Sequence, residues 1–304
     1  MKIHTQQELD ESIAPISLSE AELVWQHPGT RRVLDQGFVR MVDHMGGDLD
    51  ILQAARVSYA GTELKRTNDR GLLRYLMRNR HTTPFEMVEL KFHVKAPIYV
   101  FRQWHRHRTA SINEMSGRYS VLPDQWHVIP SYQWRLQSQT NKQGSSGSYI
   151  DMDNEGIKYT MAVEKLIKAD YELYHEMVDA GVAKEIARNH LPLSTYSEMY
   201  WKTNLHNFLH FSGLRSDSHA QLEIRQYSDI MVELVKDVVP MAVEAWEDYV
   251  FNAVTFSLPE QRALEQLFKG AGFLDFGNNY ANYGLSKREV SELSAKIERI
   301  AKGI

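Results

Sequence analysis

Residues 87–95, Met-Val-Glu-Leu-Lys-Phe-His-Val-Lys, decide the class of fold. Apolar and polar side chains alternate along this stretch, and a period of two is typical of a strand in a sheet buried on one face. The apolar members are Val88, Leu90, Phe92 and Val94. The step Ala96-Pro97 follows, and a proline at the first helical position predicts a helix over 98–105.

The pattern on both sides of this unit is mainly helical. Two further strands are predicted over 38–43 and 195–203. Capping residues and apolar spacing predict helices over 48–55, 69–78, 183–190, 205–211 and 220–251. A longer helix precedes Gly181, which can end it, and Pro240 is expected to kink the last one. The sequence therefore predicts a mixed α/β (α+β) fold with more helix than strand.

Composition sets limits on function. The 304 residues carry a net charge of −4, are 43% hydrophobic and include no cysteine. Disulfides, thiolate nucleophiles and Cys-ligated metal sites are therefore excluded. Mild acidity argues against a nucleic-acid partner, and no apolar run reaches the ~18 residues of a membrane span. With no apolar segment near the N-terminus, we expect a cytoplasmic protein that binds neither nucleic acid nor membrane.

Residues 106–120, Arg-His-Arg-Thr-Ala-Ser-Ile-Asn-Glu-Met-Ser-Gly-Arg-Tyr-Ser, form a cationic segment. Arg106, Arg108 and Arg118 are balanced only by Glu114, and residues 109–118 are predicted to be a loop. Guanidinium groups bind phosphate through two parallel hydrogen bonds. The alternative is a solvated basic surface, but arginines mixed with His, Ser and aromatic residues favour an anionic ligand.

Other chemistries find less support. His105 with His107, and His206 with His210, could suggest a metal site, but no His-Glu-x-x-His or suitably spaced carboxylate accompanies them, so no metal is expected. Ser116 lacks the Gly-x-Ser-x-Gly context of a nucleophile and suits ligand binding better. Rossmann and P-loop glycine patterns are absent from the sequence.

Two more segments carry candidate residues. Glu185 and Arg188 lie three apart on a predicted helix, and a surface ion pair and a functional role remain equally open. Residues 215–221, Arg-Ser-Asp-Ser-His-Ala-Gln, lie where one helix ends and the next begins. A helix N-terminus attracts anions, which favours a functional role.

These motifs resemble the flavin-dependent thymidylate synthase (ThyX) family. The signature Arg-His-Arg-x7-Ser falls at residues 106–116. Further similar blocks, in the order and spacing of the family, are 54–58, 81–86, 92–97, 116–120 and 215–221. The resemblance covers 31–251 as the catalytic domain. Compact members of the family have no counterpart of three segments of this chain. These are an N-terminal extension (1–30), a flexible Gly/Ser-rich insert (137–156) and a C-terminal extension (252–304), for which capping boxes predict helices.

The resemblance implies a ThyX-type fold, a mixed or antiparallel sheet flanked by helices. It implies reductive methylation of dUMP to dTMP, with 5,10-methylenetetrahydrofolate as carbon donor, FAD as cofactor and NADPH as reductant. It also implies a homotetramer whose active sites are shared between subunits. The missing cysteine is consistent with this chemistry, because the flavin carries the difficult step.

The resemblance also implies residue roles. Substrate dUMP would be held by Gln103, Arg106, Glu114, Ser116, Gly117, Arg118, Arg188 and Arg215. Arg215 would be catalytic, favouring the ionised ring that makes C5 nucleophilic. FAD would contact Thr83, Arg106, His107, Arg108, Glu114, Asn204, His206 and His210. His81 would flank the folate side. Compact relatives have Arg and Asn where His206 and His210 stand, so imidazole titration is expected to influence FAD affinity.

Two alternatives remain. A relative of the same fold could place another one-carbon group, such as hydroxymethyl, on a pyrimidine nucleotide. A non-enzymatic RNA-binding module could use the basic loop with Trp104 and Tyr119 as stacking platforms.

Overall fold

The fold is built on a five-stranded antiparallel sheet. Its strands follow the order β1-β2-β3-β7-β4, and β5 and β6 form a separate antiparallel pair. The strands are β1 (Thr30–Val33), β2 (Gly37–Met45), β3 (Glu89–Pro97), β4 (Ser111–Glu114), β5 (Arg135–Gln137), β6 (Ser145–Tyr149) and β7 (Tyr196–Asn204). The predicted antiparallel sheet flanked by helices is thereby confirmed, with the stretch that began the sequence argument as the central strand.

Helices occupy most of the remaining chain that the structure describes. They are α1 (Asp48–Arg56), α2 (Asp69–Arg78), α3 (Ile98–Trp104), α4 (Ile157–Asp179), α5 (Lys184–Ala187), α6 (Leu205–Arg215), α7 (Leu222–Lys236), α8 (Pro240–Trp246) and α9 (Lys287–Lys302). Short 3-10 or π turns lie at Thr83–Met87, Ser131–Gln133, Met152–Gly156, Arg188–His190 and Glu247–Phe251. Gly181 has a φ of 83° just after α4, a left-handed conformation that glycine adopts without a Cβ clash.

One face of the sheet holds the main core. In register, Phe92 of β3 lies beside Trp201 of β7, and both stack near Phe208 of α6. Burial of such large aromatic side chains is the main stabilising contribution. A smaller core forms under α4 around Ile167, Tyr171 and Tyr174.

The other face of β3 is less open to solvent than its polar residues predicted. His93 and Lys95 are both almost fully buried. The Lys95 ammonium donates to Gln125 Oε1 and lies 3.8 Å from a Glu198 carboxylate oxygen, while burial lowers the pKa of Lys95. Long-range partners thus allow polar side chains at buried positions, which a period of two cannot reveal.

Two predictions from the sequence are wrong. Residues 111–114, within the predicted loop, form edge strand β4, because β7 offers them a free side to pair with. Pro240 does not kink a continuous helix: α7 ends at Lys236 and Pro240 begins α8. Within the insert 137–156, the structure places β6 and a π turn, and the flexibility of the insert stays a prediction.

Asp48 fastens α1 to the start of α8. Its two carboxylate oxygens accept hydrogen bonds from the backbone N–H groups of Met241 (2.8 Å) and Ala242 (3.0 Å). These donors belong to the first turn of α8 and have no partner within that helix. The buried Asp48 therefore caps a helix almost two hundred residues away in sequence.

The computed structural model describes Val24, His27, residues 29–57, 69–139, 144–258, Gln261 and 287–302. The chain divides into two compact units, Met1–Phe251 and Asn252–Ile304. Most of the predicted extension 1–30, and of the tail apart from α9, lies outside the described residues, as does Ser58 of the block 54–58. In the ranges described, the helices are too short or too polar to cross a membrane.

Candidate active site

The Arg-His-Arg segment and α6 enclose a cavity of about 290 Å³ at the end of the sheet. Its walls are Arg106, His107, Arg108, Thr109, Trp201, Thr203, Asn207, His210, Leu214 and Arg215. The segment reaches this position because α3 ends at the fully buried Trp104, and the chain then crosses the end of β7. The Thr203 hydroxyl fixes that crossing by donating to the Thr109 carbonyl (3.0 Å).

Arg215 is held in a defined orientation at the end of α6. Its Nε donates to His107 Nε2 (3.0 Å), and one terminal nitrogen donates to the Gln103 carbonyl (3.1 Å). The Gln103 side chain in turn donates to Gln221 Oε1. Both ends of the 215–221 segment are therefore tied to α3, and the guanidinium keeps a further nitrogen for a ligand.

His107 is neutral in this arrangement. An imidazole nitrogen that accepts from a guanidinium cannot carry a proton, so the proton of His107 resides on Nδ1. Burial, followed by the charges of Arg215 and His210, lowers the pKa of His107 to about 4. Burial also lowers the pKa of Arg215, which nevertheless stays charged. The site thus presents one fixed cation whose neighbour is a neutral acceptor.

Arg106 and Arg108 provide unpaired positive charge. Both are exposed, and neither forms an ion pair or hydrogen bond with another described side chain. Guanidinium groups without an internal carboxylate are ready for an external anion such as a phosphate. Arginines on a solvated surface also lack internal partners, so ligand binding is favoured here by the position of both side chains in the cavity wall.

A second group of predicted residues, here called the serine-turn cluster, comprises Ser116, Gly117, Arg118 and Arg188. Ser116 Oγ accepts from the backbone N–H of Arg118 (3.3 Å). A Cβ on Gly117 would lie 3.1 Å from Arg188 Cδ, so glycine lets the turn approach that arginine closely. No catalytic base reaches Ser116 among the described contacts, which agrees with a binding hydroxyl.

Glu185 pairs with the turn and not with its helical neighbour. Arg118 Nε donates to a Glu185 carboxylate oxygen (3.0 Å). Arg188 forms no ion pair or side-chain hydrogen bond within the described residues. The alternative of an i, i+3 surface pair between Glu185 and Arg188 is therefore wrong, and Arg188 remains open to a ligand.

Glu114 lies between the two groups. Its carboxylate accepts from the Ser197 hydroxyl (2.8 Å) and lies 3.7 Å from His105 Nε2, next to Arg106 in sequence. In the described part of the chain, no hydrogen bond or ion pair joins Arg215 or His107 to the serine-turn cluster. The chain thus carries two cationic groups, Arg215 with the Arg-His-Arg segment and the serine-turn cluster.

Glu114 and four other residues that the resemblance assigned to flavin or folate lie outside the cavity wall. Asn204 caps α6, where its Oδ1 accepts from the Asn207 backbone N–H (2.9 Å). Thr83 is exposed on a 3-10 turn that packs against α6, His206 is half-buried on α6, and His81 is exposed beside the Tyr75 ring. Their ligand roles stay predictions.

Part of the cavity wall consists of residues that no sequence motif predicted. Asn207, His210 and Leu214 lie at i, i+3 and i+7 on α6 and share one face. The known candidate His210 and this spacing could have identified the other two. Trp201 and Thr203 are reached only through strand pairing, which gave no local signal. As for metals, the described ranges hold no group of three or more His, Cys, Asp or Glu placed to bind an ion.

The antiparallel α+β fold with a cavity lined by one fixed and two unpaired arginines defines a protein suited to an anionic ligand. Residues 40–241 match the family model described as "Thymidylate synthase complementing protein". A flavin-dependent thymidylate synthase of Treponema denticola is 44% identical and covers 88% of this chain and 96% of its own length. One from Thermus thermophilus is 49% identical over 79% of this chain and 86% of its own length.

Solved structures agree with the sequence relatives. The UMP/dUMP methylase PolB from Streptomyces cacaoi, bound with 5-Br dUMP, superposes with a TM-score of 0.64 at 32% identity. The match covers 72% of this chain and 98% of that one. The chain therefore belongs to the flavin-dependent thymidylate synthase family, as the Arg-His-Arg-x7-Ser signature predicted.

Proposed function

We propose that the chain methylates dUMP to dTMP with FAD as cofactor, 5,10-methylenetetrahydrofolate as carbon donor and NADPH as reductant. Family membership supports the flavin-dependent synthesis of dTMP, and the likeness to a dUMP methylase supports the substrate. The observation that carries the proposal is the cavity in which the neutral His107 and the Gln103 carbonyl orient Arg215 between two unpaired arginines.

Arg215 is proposed as the catalytic residue. Uracil C5 becomes nucleophilic as negative charge develops on the ring, and a preorganised cation facing the ring stabilises that charge. Because Nε and one terminal nitrogen are already bound, the guanidinium need not reorient when the substrate arrives. Since the chain has no cysteine, no covalent attack on the ring by a thiol is available.

The dUMP phosphate and sugar are proposed to bind the serine-turn cluster together with Gln103, Arg106 and Glu114. Arg188 and Arg106 have no carboxylate partner in the described residues, and the turn at Gly117 packs closely against Arg188. Arg118 already pairs with Glu185, so it would exchange or share that partner. Bidentate arginine contacts and a backbone N–H are the usual means of holding a phosphate.

Residues of this chain fit a flavin cofactor. We assign FAD contacts to the Arg-His-Arg segment, His210 and Glu114, with Thr83, Asn204 and His206 on or beside α6. The unpaired Arg106 and Arg108 suit a pyrophosphate, and the Asn207 amide in the wall can bind a ring edge. Bound FAD would supply the hydride chemistry for which this chain has no side chain. His81, exposed after α2, is assigned to the folate side.

We propose a homotetramer with active sites shared between subunits, and the two cationic groups of one chain support it. Arg215 with Arg106 forms one cationic group and Arg188 with the serine turn forms another, without a described bond between them. A second copy can bring its serine-turn cluster to the cavity of the first, which completes one nucleotide site from two chains.

The test is a visible spectrum of the purified protein, followed by addition of dUMP and NADPH. We expect a flavin spectrum that bleaches with NADPH. We also expect a product heavier than dUMP by one CH₂ group, formed only when methylenetetrahydrofolate is present. A colourless protein that takes up no FAD would refute the proposal. A heavier product would indicate hydroxymethyl transfer, and tight salt-sensitive binding to single-stranded RNA without NADPH oxidation would favour the non-enzymatic module.

UMP is a second candidate substrate, because the structural neighbour is a methylase of UMP as well as dUMP. Parallel turnover assays with the two nucleotides at equal concentration decide between them. A ratio of kcat/KM near one would show that the site does not read the 2′ position.

A further inference from the structure

The solvent side of α4 carries an apolar stripe that the proposed reaction does not use. Tyr159, Leu166 and Leu173 are 42%, 67% and 47% exposed, and Ala162 and Ala169 between them are exposed too. We call these five residues the α4 seam. They follow one another at spacings of three, four, three and four residues. This heptad spacing is characteristic of helices that pair along one line.

The seam is distinct from the face by which α4 holds the fold. Ile167, Tyr171 and Tyr174 point into the smaller core, and Val163 packs with them. At the N-terminal end of the seam, Tyr159 also lies against the fold, with its ring centroid 5.8 Å from that of Trp134. The part of the seam that faces solvent therefore runs from Ala162 to Leu173. Single exposed apolar residues need no explanation, but a row of them with a regular period marks an interaction surface.

The size and charge patterns along α4 identify the occupant. Large and small residues alternate along the seam, in the order Tyr159, Ala162, Leu166, Ala169 and Leu173. Beside the seam on its solvent side, Lys158 and Lys165 lie in the first half of the helix and Glu172 and Asp179 in the second, all exposed. The exposed Glu176 follows Leu173 on the seam line and ends its apolar part. Such a helix is complementary to itself only when the second copy runs in the opposite direction.

We propose that the α4 seam pairs with the α4 seam of a second copy of this chain, antiparallel about a two-fold axis between Leu166 and Ala169. Leu166 then packs on the second copy's Ala169, and Leu173 on its Ala162. Lys165 faces the second copy's Glu172, and the pair occurs twice by symmetry. The seam would be one interface of the homotetramer proposed above. It rests on the proposed function only in assuming that the chain self-associates.

The absence of native cysteine allows a direct test of register. Leu173→Cys co-expressed with Ala162→Cys should give an oxidised cross-linked dimer on a non-reducing gel. Leu173→Cys alone should not, because two copies of residue 173 lie about 16 Å apart along the antiparallel pair, eleven residues at about 1.5 Å each. A disulfide needs Cα atoms within about 7 Å. Met161→Cys with Leu173→Cys is the matched control, since Met161 is exposed but off the seam.

Charge exchange provides a second measurement on the full-length protein. Lys165→Glu should raise the concentration at which the assembly half-dissociates by about tenfold, from two like-charge contacts per interface. The double variant Lys165→Glu with Glu172→Lys should restore it. A cross-link in Leu173→Cys alone, or charge variants that leave the mass from light scattering unchanged, would overturn the seam. Normal dTMP synthesis in that case would leave the proposed function intact, whereas a flavin-free protein with the predicted cross-links would refute only the proposed function.

Discussion

Arg215→Lys is the most informative substitution at the candidate active site. The guanidinium holds two fixed acceptors, His107 Nε2 at 3.0 Å and the Gln103 carbonyl at 3.1 Å, and has nitrogen left for the pyrimidine. An ammonium keeps the positive charge but is a single point donor, so it cannot bond both acceptors and also face the ring. The variant therefore separates orientation of the charge from its presence.

The expected loss is large and specific. Removing one preorganised donor from a transition-state site typically lowers kcat about 10²- to 10³-fold, or roughly 3–4 kcal/mol. FAD content should stay near wild type, because the unpaired Arg106 and Arg108 are untouched. Arg215→Ala should abolish turnover while also keeping FAD. The assay is dUMP-dependent NADPH oxidation with dTMP measured by chromatography, beside flavin absorbance of the same sample.

Arg225→Lys is the matched control. Arg225 lies on α7 and donates to the Ser218 carbonyl (3.2 Å), outside the cavity wall. It should retain activity within about threefold, as for a surface substitution worth under 1 kcal/mol. If Arg215→Lys kept its turnover within about threefold of wild type, Arg215 would not act through a fixed orientation. A loss of FAD equal to the loss of turnover would refute that role as well.

Three further outcomes follow from the structure. His107 has a pKa of about 4 in the fold and about 6.5 unfolded, so its contribution to the free energy of unfolding is complete above about pH 6.5 and disappears as pH falls toward 4. In urea unfolding, the free energy of unfolding should therefore fall more steeply with decreasing pH in wild type than in His107→Gln, and equal pH dependence would contradict the assignment. Gly117→Ala should raise KM for dUMP about tenfold with FAD retained, because its Cβ would lie 3.1 Å from Arg188 Cδ; titration of both ligands checks this. Asp48→Ala should destabilise the protein by about 1–3 kcal/mol in urea unfolding by leaving buried N–H groups of α8 unpaired, and a smaller loss than in Asp48→Asn would count against the cap.

Local patterns predicted much of the fold. Helix α1 begins at Asp48 as predicted, although Gly47 is its N-cap and the Asp48 carboxylate caps α8 instead. The alternation at 87–95 is the central strand β3, and the helical pattern after Asp69 is α2. These signals work because side-chain period and helix caps depend on neighbours a few residues away. Edge strand β4 was missed for the opposite reason: residues 111–114 become a strand only because β7 pairs with them.

The candidate site shows the same division. By itself the sequence determined that the chain has no thiol, that Arg106, Arg108 and Arg118 form a cationic segment, and that the signature is that of the family. Only the tertiary structure decided that Arg215 rests on His107, more than a hundred residues away, and that Arg118 pairs with Glu185. Residue type sets which bonds a side chain can form, but long-range packing selects the partner, and that selection fixes the charge state of His107 and leaves Arg188 open to a ligand.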